Sequence, residues 1–454
     1  MAIATVNPAT GVVEKTFEPH DDAHVDKALA SSQAAYEDFS QTSFEHRSRL
    51  MVSAADLFDA EIPDIARIMT TEMGKTFAAA KAEVAKCANA LRWFSEHAES
   101  MLVDEVVASA ASDSRVLYQP LGPVLAVMPW NFPLWQVIRF AAPALMLANT
   151  GLLKHASNVP QTALLIEDVF RRAGYPEGVF QTLLIESSRV DAVIADDRVK
   201  AVTLTGSDAA GRSVAEAAGR ALKKTVLELG GSDPFIVLPS ADVDRAAQVG
   251  VQARVQNNGQ SCIAAKRFIV HDDVYDEFEE KFVSIMSGLN VGDPMDPATD
   301  VGPIVSSSGR DGIAEQVEDA ASQGATILCG GRAVDGPGFF YEPTAITHVT
   351  PSMRVYYEEV FGPVAMLYRA RDDEEALRIA NDSPFGLGAS VWTTEAEERN
   401  HFIDRLAAGM VFVNAMVAST PELPFGGLKE SGYGRELGSY GLREFCAVKT
   451  VFVA

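Results

Sequence analysis

From Pro120 onward the chain repeats one pattern: a short apolar run, a turn, a segment long enough for a helix, then another apolar run. The runs fall at residues 124–128, 152–155, 180–185, 202–205, 225–229 and 235–238, with helix-length segments such as 162–173 and 209–221 between them. Continuous apolar runs suit strands covered on both faces, which is the environment of a parallel sheet. Parallel neighbours need a crossover connection, so the strand-then-helix order predicts doubly wound α/β construction. A second region, residues 241–408, has its own runs at 267–270, 325–328 and 364–368, and predicts a second α/β lobe.

The remainder of the 454 residues fits around these two lobes, within a length prior of about three domains. In the first hundred residues Val84, Cys87, Leu91, Phe94 and Ala98 recur at helical steps and mark a core face. Residues 114–119 (SRVLYQ) and 447–453 (AVKTVFV) have the β-branched texture of strands that need a partner outside the parallel lobes; together they predict a projecting sheet used for oligomerisation.

Composition narrows the function. Apolar residues make up 47% and charged residues 22%, which excludes disordered and fibrous architectures. The net charge of −24 opposes phosphate backbones and anionic membrane surfaces, so neither nucleic acid nor membrane is an expected partner. Residues 1–14 lack a basic and an apolar leader region, and the apolar stretch 134–153 is broken by Gln136, Arg139, Pro143 and Asn149, so a soluble cytoplasmic chain is expected. The cysteines, Cys87, Cys262, Cys329 and Cys446, form no CxxC pair and fit a reducing compartment, with no metal site. Met73-Gly74-Lys75-Thr76 looks like a phosphate loop but has Met69 where that motif needs its first glycine.

Several short segments carry chemistry-bearing residues. Asn257-Asn258-Gly259-Gln260-Ser261-Cys262 is a polar loop delivering one cysteine, either a small buried hydrophobe or a nucleophile. Glu228 ends an apolar run before Gly230 and Gly231, and is either a salt-bridged carboxylate or a general base. Asn131, within Pro129-Trp130-Asn131-Phe132-Pro133, is a turn residue or a donor to an oxyanion. Thr205-Gly206-Ser207 precedes a helix-length segment and offers backbone amides to a pyrophosphate.

Taken together and in order, PWNFP, ELGG, GQSC thirty-four residues after Glu228, EEVFGP at 358–363, PFGG at 424–427 and SGYGRE at 431–436 resemble the aldehyde dehydrogenase superfamily across nearly the whole chain. The resemblance implies a Rossmann-like cofactor domain (1–106 and 123–230), a catalytic domain (231–420) and a small β oligomerisation arm (107–122 and 421–454), assembled as a homodimer or a tetramer built as a dimer of dimers. By resemblance Cys262 is the nucleophile, Asn131 with the Cys262 amide holds the oxyanion, and Glu228 activates the hydrolytic water. Relatives that transfer the acyl group to coenzyme A generally lack this glutamate.

The resemblance also places Lys154 at the adenosine ribose, Gly206 and Ser207 at the pyrophosphate, Glu359 and Phe361 at the nicotinamide ribose, and Pro129, Trp130 and Leu229 around the cofactor. NAD-preferring relatives carry Glu where this chain has Ser157; a carboxylate there repels a 2'-phosphate and serine does not, so NADP is expected, with NAD second. Arg139 and Ser419-Thr420 resemble the members that oxidise succinic semialdehyde, in which an arginine and a hydroxyl hold the far carboxylate; the alternative for Arg139 is a pair with an internal acid. Gln256 stands where many of those enzymes carry a second arginine, and Trp135 is an apolar wall over the substrate or part of the core. Ala264 excludes the neighbouring-cysteine disulfide switch of some relatives. The competing expectations are oxidation of another short aldehyde, or a catalytically silent binding protein on the same fold.

Overall fold

A computed structural model describes residues 2–454. After the hairpin Ile3–Asn7 and Val12–Phe17 come four helices, Asp22–Phe39, Phe44–Ala60, Ile62–Met73 and Phe77–Met101. Three begin at side-chain caps, with Asp21, Ser43 and Thr76 accepting from the amides of His24, His46 and Ala79. The third ends at Gly74 with φ 83°, a left-handed conformation that favours glycine, and the neighbouring Lys75 amine is buried in an ion pair with Glu83. The apolar stripe of Phe77–Met101 is buried as its periodicity predicts.

The first lobe is a six-stranded sheet in the order Gly432–Tyr433, Lys224–Glu228, Ala201–Thr205, Pro123–Met128, Thr150–His155 and Phe180–Thr182. All pairs are parallel except the one made by the C-terminal edge strand. From Pro123–Met128 the chain builds outward to one side, then returns to the other side with Ala201–Thr205. This reversal opens a crevice beyond the carboxyl ends of those strands, the place where doubly wound sheets bind ligands.

The second lobe is a seven-stranded sheet in the order Thr326–Cys329, Thr344–Thr347, Val364–Ala370, Arg267–His271, Pro234–Val237, Gly388–Trp392 and Met410–Val413. Only its edge strand Thr326–Cys329 runs antiparallel. The short helix-to-strand connection through Gly324 and Ala325 places it on the edge, half covered rather than buried.

The projecting sheet pairs Cys446–Val453 with Asp113–Pro120 along their full length, with Glu105–Val106 on the far side. It is narrower than the arm expected at 421–454. Residues 425–445 stay with the body: Gly432–Tyr433 completes the first sheet, and Phe425, Leu437, Leu442 and Phe445 are buried in the core that joins the N-terminal helices to that sheet. No helix among the described residues is long and apolar enough to cross a membrane.

Candidate active site

The helix Val243–Val255 ends in a loop that must turn back sharply, and Asn257, Asn258 and Gly259 do so with φ of 56°, 59° and 76°. Asparagine and glycine are the residues that enter this region at least cost. At Gly259 a side chain is excluded, because a Cβ would lie 2.3 Å from the carbonyl carbon of Gly362. The loop is held from every direction. Asn257 donates to the Asn131 carbonyl at 2.7 Å, Asn258 to the Gly74 carbonyl at 2.8 Å, and Arg254 to the Gly259 carbonyl at 2.6 Å. The buried Lys266 amine donates to the carbonyls of Ser261 and Cys262, both at 2.8 Å, and pairs with Glu359 at 3.1 Å. Backbone strain at a loop so completely held is the usual mark of a functional segment.

Cys262 emerges half-buried. Burial pushes its thiol up to about 12, with Arg139 and Lys266 pulling the other way, so the resting group is a neutral thiol. The Asn131 amide nitrogen donates to the Gln260 carbonyl at 3.1 Å, and its oxygen accepts from Gln136 at 3.0 Å. Asn131 is thereby fastened to the Cys262 loop through both its side chain and its backbone.

Glu228, the last residue of Lys224–Glu228, is buried, and neither carboxylate oxygen has a hydrogen-bond partner among the described residues. Burial first, then the neighbouring Glu436, hold its proton affinity well above the usual carboxylate range. Glycine is needed on both sides of this arrangement. A Cβ on Gly426 would lie 2.7 Å from Glu228 Oε1, and one on Gly231 would lie 2.6 Å from the Cys262 carbonyl oxygen.

These elements open on a cleft of about 290 Å³ at the switch point of the first sheet. It is lined by Pro129, Trp130 and Asn131 after one strand, Gly206 and Ser207 after the next, Leu229 after a third, and Cys262, Glu359 and Phe361 from the second lobe. Trp130 and Phe361 meet edge to face with ring centroids 5.7 Å apart. Ser207 caps the helix Asp208–Arg220. One strand over, at the end of Thr150–His155, the largely buried Lys154 amine has no acceptor among the described residues, and burial lowers its pKa. A dinucleotide, with its anionic and hydroxylated groups, fits this crevice and its unanswered cation. No group of three metal-ligating side chains occurs among the described residues.

The aldehyde dehydrogenase family model matches residues 1–451. The chain belongs to the aldehyde dehydrogenase family. It is 58% identical to the succinate-semialdehyde dehydrogenase [NADP(+)] 1 of Mycobacterium tuberculosis, over 100% of both chains, and 56% identical to the succinate-semialdehyde dehydrogenase [NADP(+)] of Mycobacterium leprae over 100% of both. The crystal structure of the Streptococcus pyogenes succinic semialdehyde dehydrogenase in complex with NADP+ superposes with a TM-score of 0.97 at 38% identity, covering 99% of each chain.

The other residues read from sequence lie outside the cleft lining: Glu228, Lys154, Ser157, Arg139, Trp135, Ser419 and Thr420. Arg139 departs from the expectation that it holds a substrate carboxylate. It is buried in an ion pair with Glu436, donates to Thr205 Oγ1 at 3.2 Å and lies 4.4 Å from the Phe425 ring centroid. Its charge is answered by an internal acid, the alternative that sequence had left open. Trp135 is buried and donates to Ser419 Oγ at 2.9 Å.

Four residues that touch the expected site residues were not picked out from sequence: Gln136 on Asn131, Lys266 on the Cys262 carbonyl, Glu436 on Arg139 and Lys86 on Ser419. Gln136 and Lys266 lie within five residues of Asn131 and Cys262, so proximity to those motifs was their only signal. Glu436 was visible as the end of SGYGRE but carried no assigned role. Lys86 sits beside the buried stripe of its helix, next to Cys87.

Proposed function

We propose that this aldehyde dehydrogenase oxidises succinic semialdehyde to succinate with NADP as preferred acceptor and NAD as a secondary one. The observation that carries the reading is the cleft itself, in which a thiol and a side-chain amide stand at the mouth of a dinucleotide crevice. The choice of aldehyde and cofactor is supported by full-length relatives that bear that activity.

In this reading the Cys262 thiol gives up its proton to solvent as its sulfur adds to the aldehyde carbon, while the Asn131 amide and the Cys262 backbone N–H receive the oxyanion. NADP, when bound, supplies the hydride acceptor. Loss of hydride leaves a thioester on Cys262. Glu228 then takes a proton from the attacking water, the C–S bond breaks, and succinate leaves. Glu228 must be ionised to take that proton, and the burial that raises its proton affinity makes it the stronger base once it is ionised. Lys154 and Ser157 would hold the adenosine ribose, Gly206 and Ser207 the pyrophosphate, and Glu359 and Phe361 the nicotinamide ribose, with Pro129, Trp130 and Leu229 as walls.

The assembly belongs to the same proposal. Val106, Val448 and Phe452 stand exposed on the projecting sheet, apolar surface that a second copy would cover in a homodimer or a dimer of dimers. Four unpaired cysteines agree with a cytoplasmic location.

The test is a matrix of catalytic efficiencies for succinic semialdehyde and butanal, each with NADP and NAD. Succinic semialdehyde with NADP should lead. A preference for butanal would move the substrate to a neutral short aldehyde, and absence of reduced cofactor with every aldehyde would make the chain a silent binding protein. Glu228→Gln should keep a burst of NADPH and lose steady turnover; unchanged turnover would remove Glu228 as the base.

A further inference from the structure

With Arg139 paired to Glu436 and Gln256 in place of a second arginine, the proposed substrate's far carboxylate lacks an evident cationic partner beside the hydroxyl of Ser419. A different cation stands nearby. The Lys86 amine donates to Ser419 Oγ at 2.9 Å and lies 4.1 Å from the Trp135 ring centroid, while the Trp135 indole donates to the same oxygen at 2.9 Å. Trp135 begins the helix that follows the Asn131 loop, and it packs in the same apolar cluster as Cys262.

The donor count at this spot does not balance. A hydroxyl oxygen has two lone pairs, and both of Ser419's are taken by incoming donors. Its own O–H proton has no acceptor among the described residues, and the remaining ammonium protons of Lys86 have none either. Nor does Lys86 have an acidic partner within ion-pair distance among the described residues. Glu83, one turn back on the same helix, is occupied by Lys75 and by the amides of Leu134 and Trp135. Burial of this lone ammonium pulls it down to about 8, with Arg139 adding in the same direction. Donors that converge without an acceptor, around a sheltered positive charge beside the nucleophile's cluster, call for a small anion.

We propose that Lys86, with the Ser419 hydroxyl, binds the far carboxylate of the aldehyde substrate and so selects short aldehydes that end in a carboxylate. This rests on the function proposed above. Trp135 holds both groups in place, through its ring face for the ammonium and its N–H for the hydroxyl.

The test compares wild type, Lys86→Met, which keeps the length and apolar body of the side chain, and Lys86→Arg, which keeps the charge. The ratio of catalytic efficiencies for succinic semialdehyde and butanal should fall roughly ten- to a hundredfold in Lys86→Met, mainly through KM, and recover partly in Lys86→Arg. An unchanged ratio, or an equal loss with the charge-preserving variant, would overturn the assignment. Competitive inhibition of butanal oxidation by succinate separates this proposal from the choice of substrate. If wild type prefers butanal, the proposed function falls, while a succinate inhibition constant raised tenfold or more in Lys86→Met still supports a carboxylate site at Lys86. An inhibition constant that does not move overturns it.

Discussion

Gln136 donates its side-chain amide to Asn131 Oδ1 at 3.0 Å, and this bond acts with the Gln260 carbonyl to set which end of the Asn131 amide faces the Cys262 loop. With the oxygen held by Gln136, the nitrogen points to the Gln260 carbonyl and keeps a second N–H for a ligand. Leucine at position 136 removes that restraint at similar volume. Loss of an oxyanion donor costs about 100- to 1000-fold in kcat, so Gln136→Leu, which frees the donor without deleting it, should cost roughly ten- to a hundredfold. The KM for NADP should stay nearly constant. The comparison is with Asn131→Ala: a large loss there beside less than a twofold loss in Gln136→Leu would show that something else orients the amide.

The parallel strands of the first lobe and three strands of the second were legible because burial on two faces writes a continuous apolar run, and the Cys262 loop because Asn257, Asn258 and Gly259 are turn residues in a row; Thr344–Thr347, Gly388–Trp392 and Met410–Val413 went unread, and Pro234–Val237, read with the first lobe, joins the second sheet. What sequence hid was pairing across long separations. Arg139 reads equally as a substrate-facing guanidinium or as half of an internal pair, and only folding brings Glu436 against it. Lys86 reads as one more solvated lysine, since lysines are almost always exposed, and only the arrival of Trp135 and Ser419 makes it a sheltered cation. The strand Gly432–Tyr433 is too short for any pattern to say which sheet it joins.

The Cys262 thiol gives a pH signature that needs no turnover. An ordinary cysteine, with pKa near 8.5, approaches its full alkylation rate by about pH 9. Burial raises Cys262 to about 12, so below that value each unit of pH should raise its thiolate fraction, and its rate with iodoacetamide, about tenfold. Site-resolved mass spectrometry on cofactor-free enzyme from pH 7 to 10 would follow this against a small-molecule thiol of ordinary pKa, since burial raises the other three cysteines too. A plateau at pH 8.5 would mean the thiol is not desolvated.

His155 links acid stability to the Asn131 loop. Its Nδ1 accepts from the Ala156 amide at 2.9 Å, so the proton sits on Nε2, which donates to the Pro133 carbonyl at 2.8 Å. Burial lowers its pKa from 6.5 to about 4. As pH falls, the unfolded chain therefore takes up this proton first, so the contribution is intact above about pH 6.5 and is lost progressively toward pH 4. At 1.36 kcal/mol per unit the loss approaches about 3 kcal/mol. Urea unfolding of wild type should show a steeper decline between pH 6.5 and 4 than His155→Gln, in which the titrating group is absent. Parallel declines would remove His155 as the cause.

The proposed preference for NADP is testable at Ser157, just beyond the strand that carries Lys154. The Ser157 carbonyl accepts from the Ala4 amide at 3.0 Å, which ties its backbone down, while its side chain makes no hydrogen bond among the described residues. A glutamate can therefore be introduced with little disturbance of the chain. It would bring a carboxylate to the ribose end of the crevice, where two like charges about 4 Å apart repel by roughly 4 kcal/mol at an effective dielectric near 20. Water and the neighbouring Lys154 amine would screen part of this. Ser157→Glu should raise the KM for NADP about ten- to a hundredfold, corresponding to roughly 1.4 to 2.8 kcal/mol. NAD bears a 2'-hydroxyl at that place, which a carboxylate accepts from, so its KM should change little or fall. Catalytic efficiencies with both cofactors at saturating aldehyde give the ratio directly. A wild-type preference for NAD, or a ratio that Ser157→Glu leaves unmoved, would mean that the 2'-phosphate is read elsewhere in the crevice.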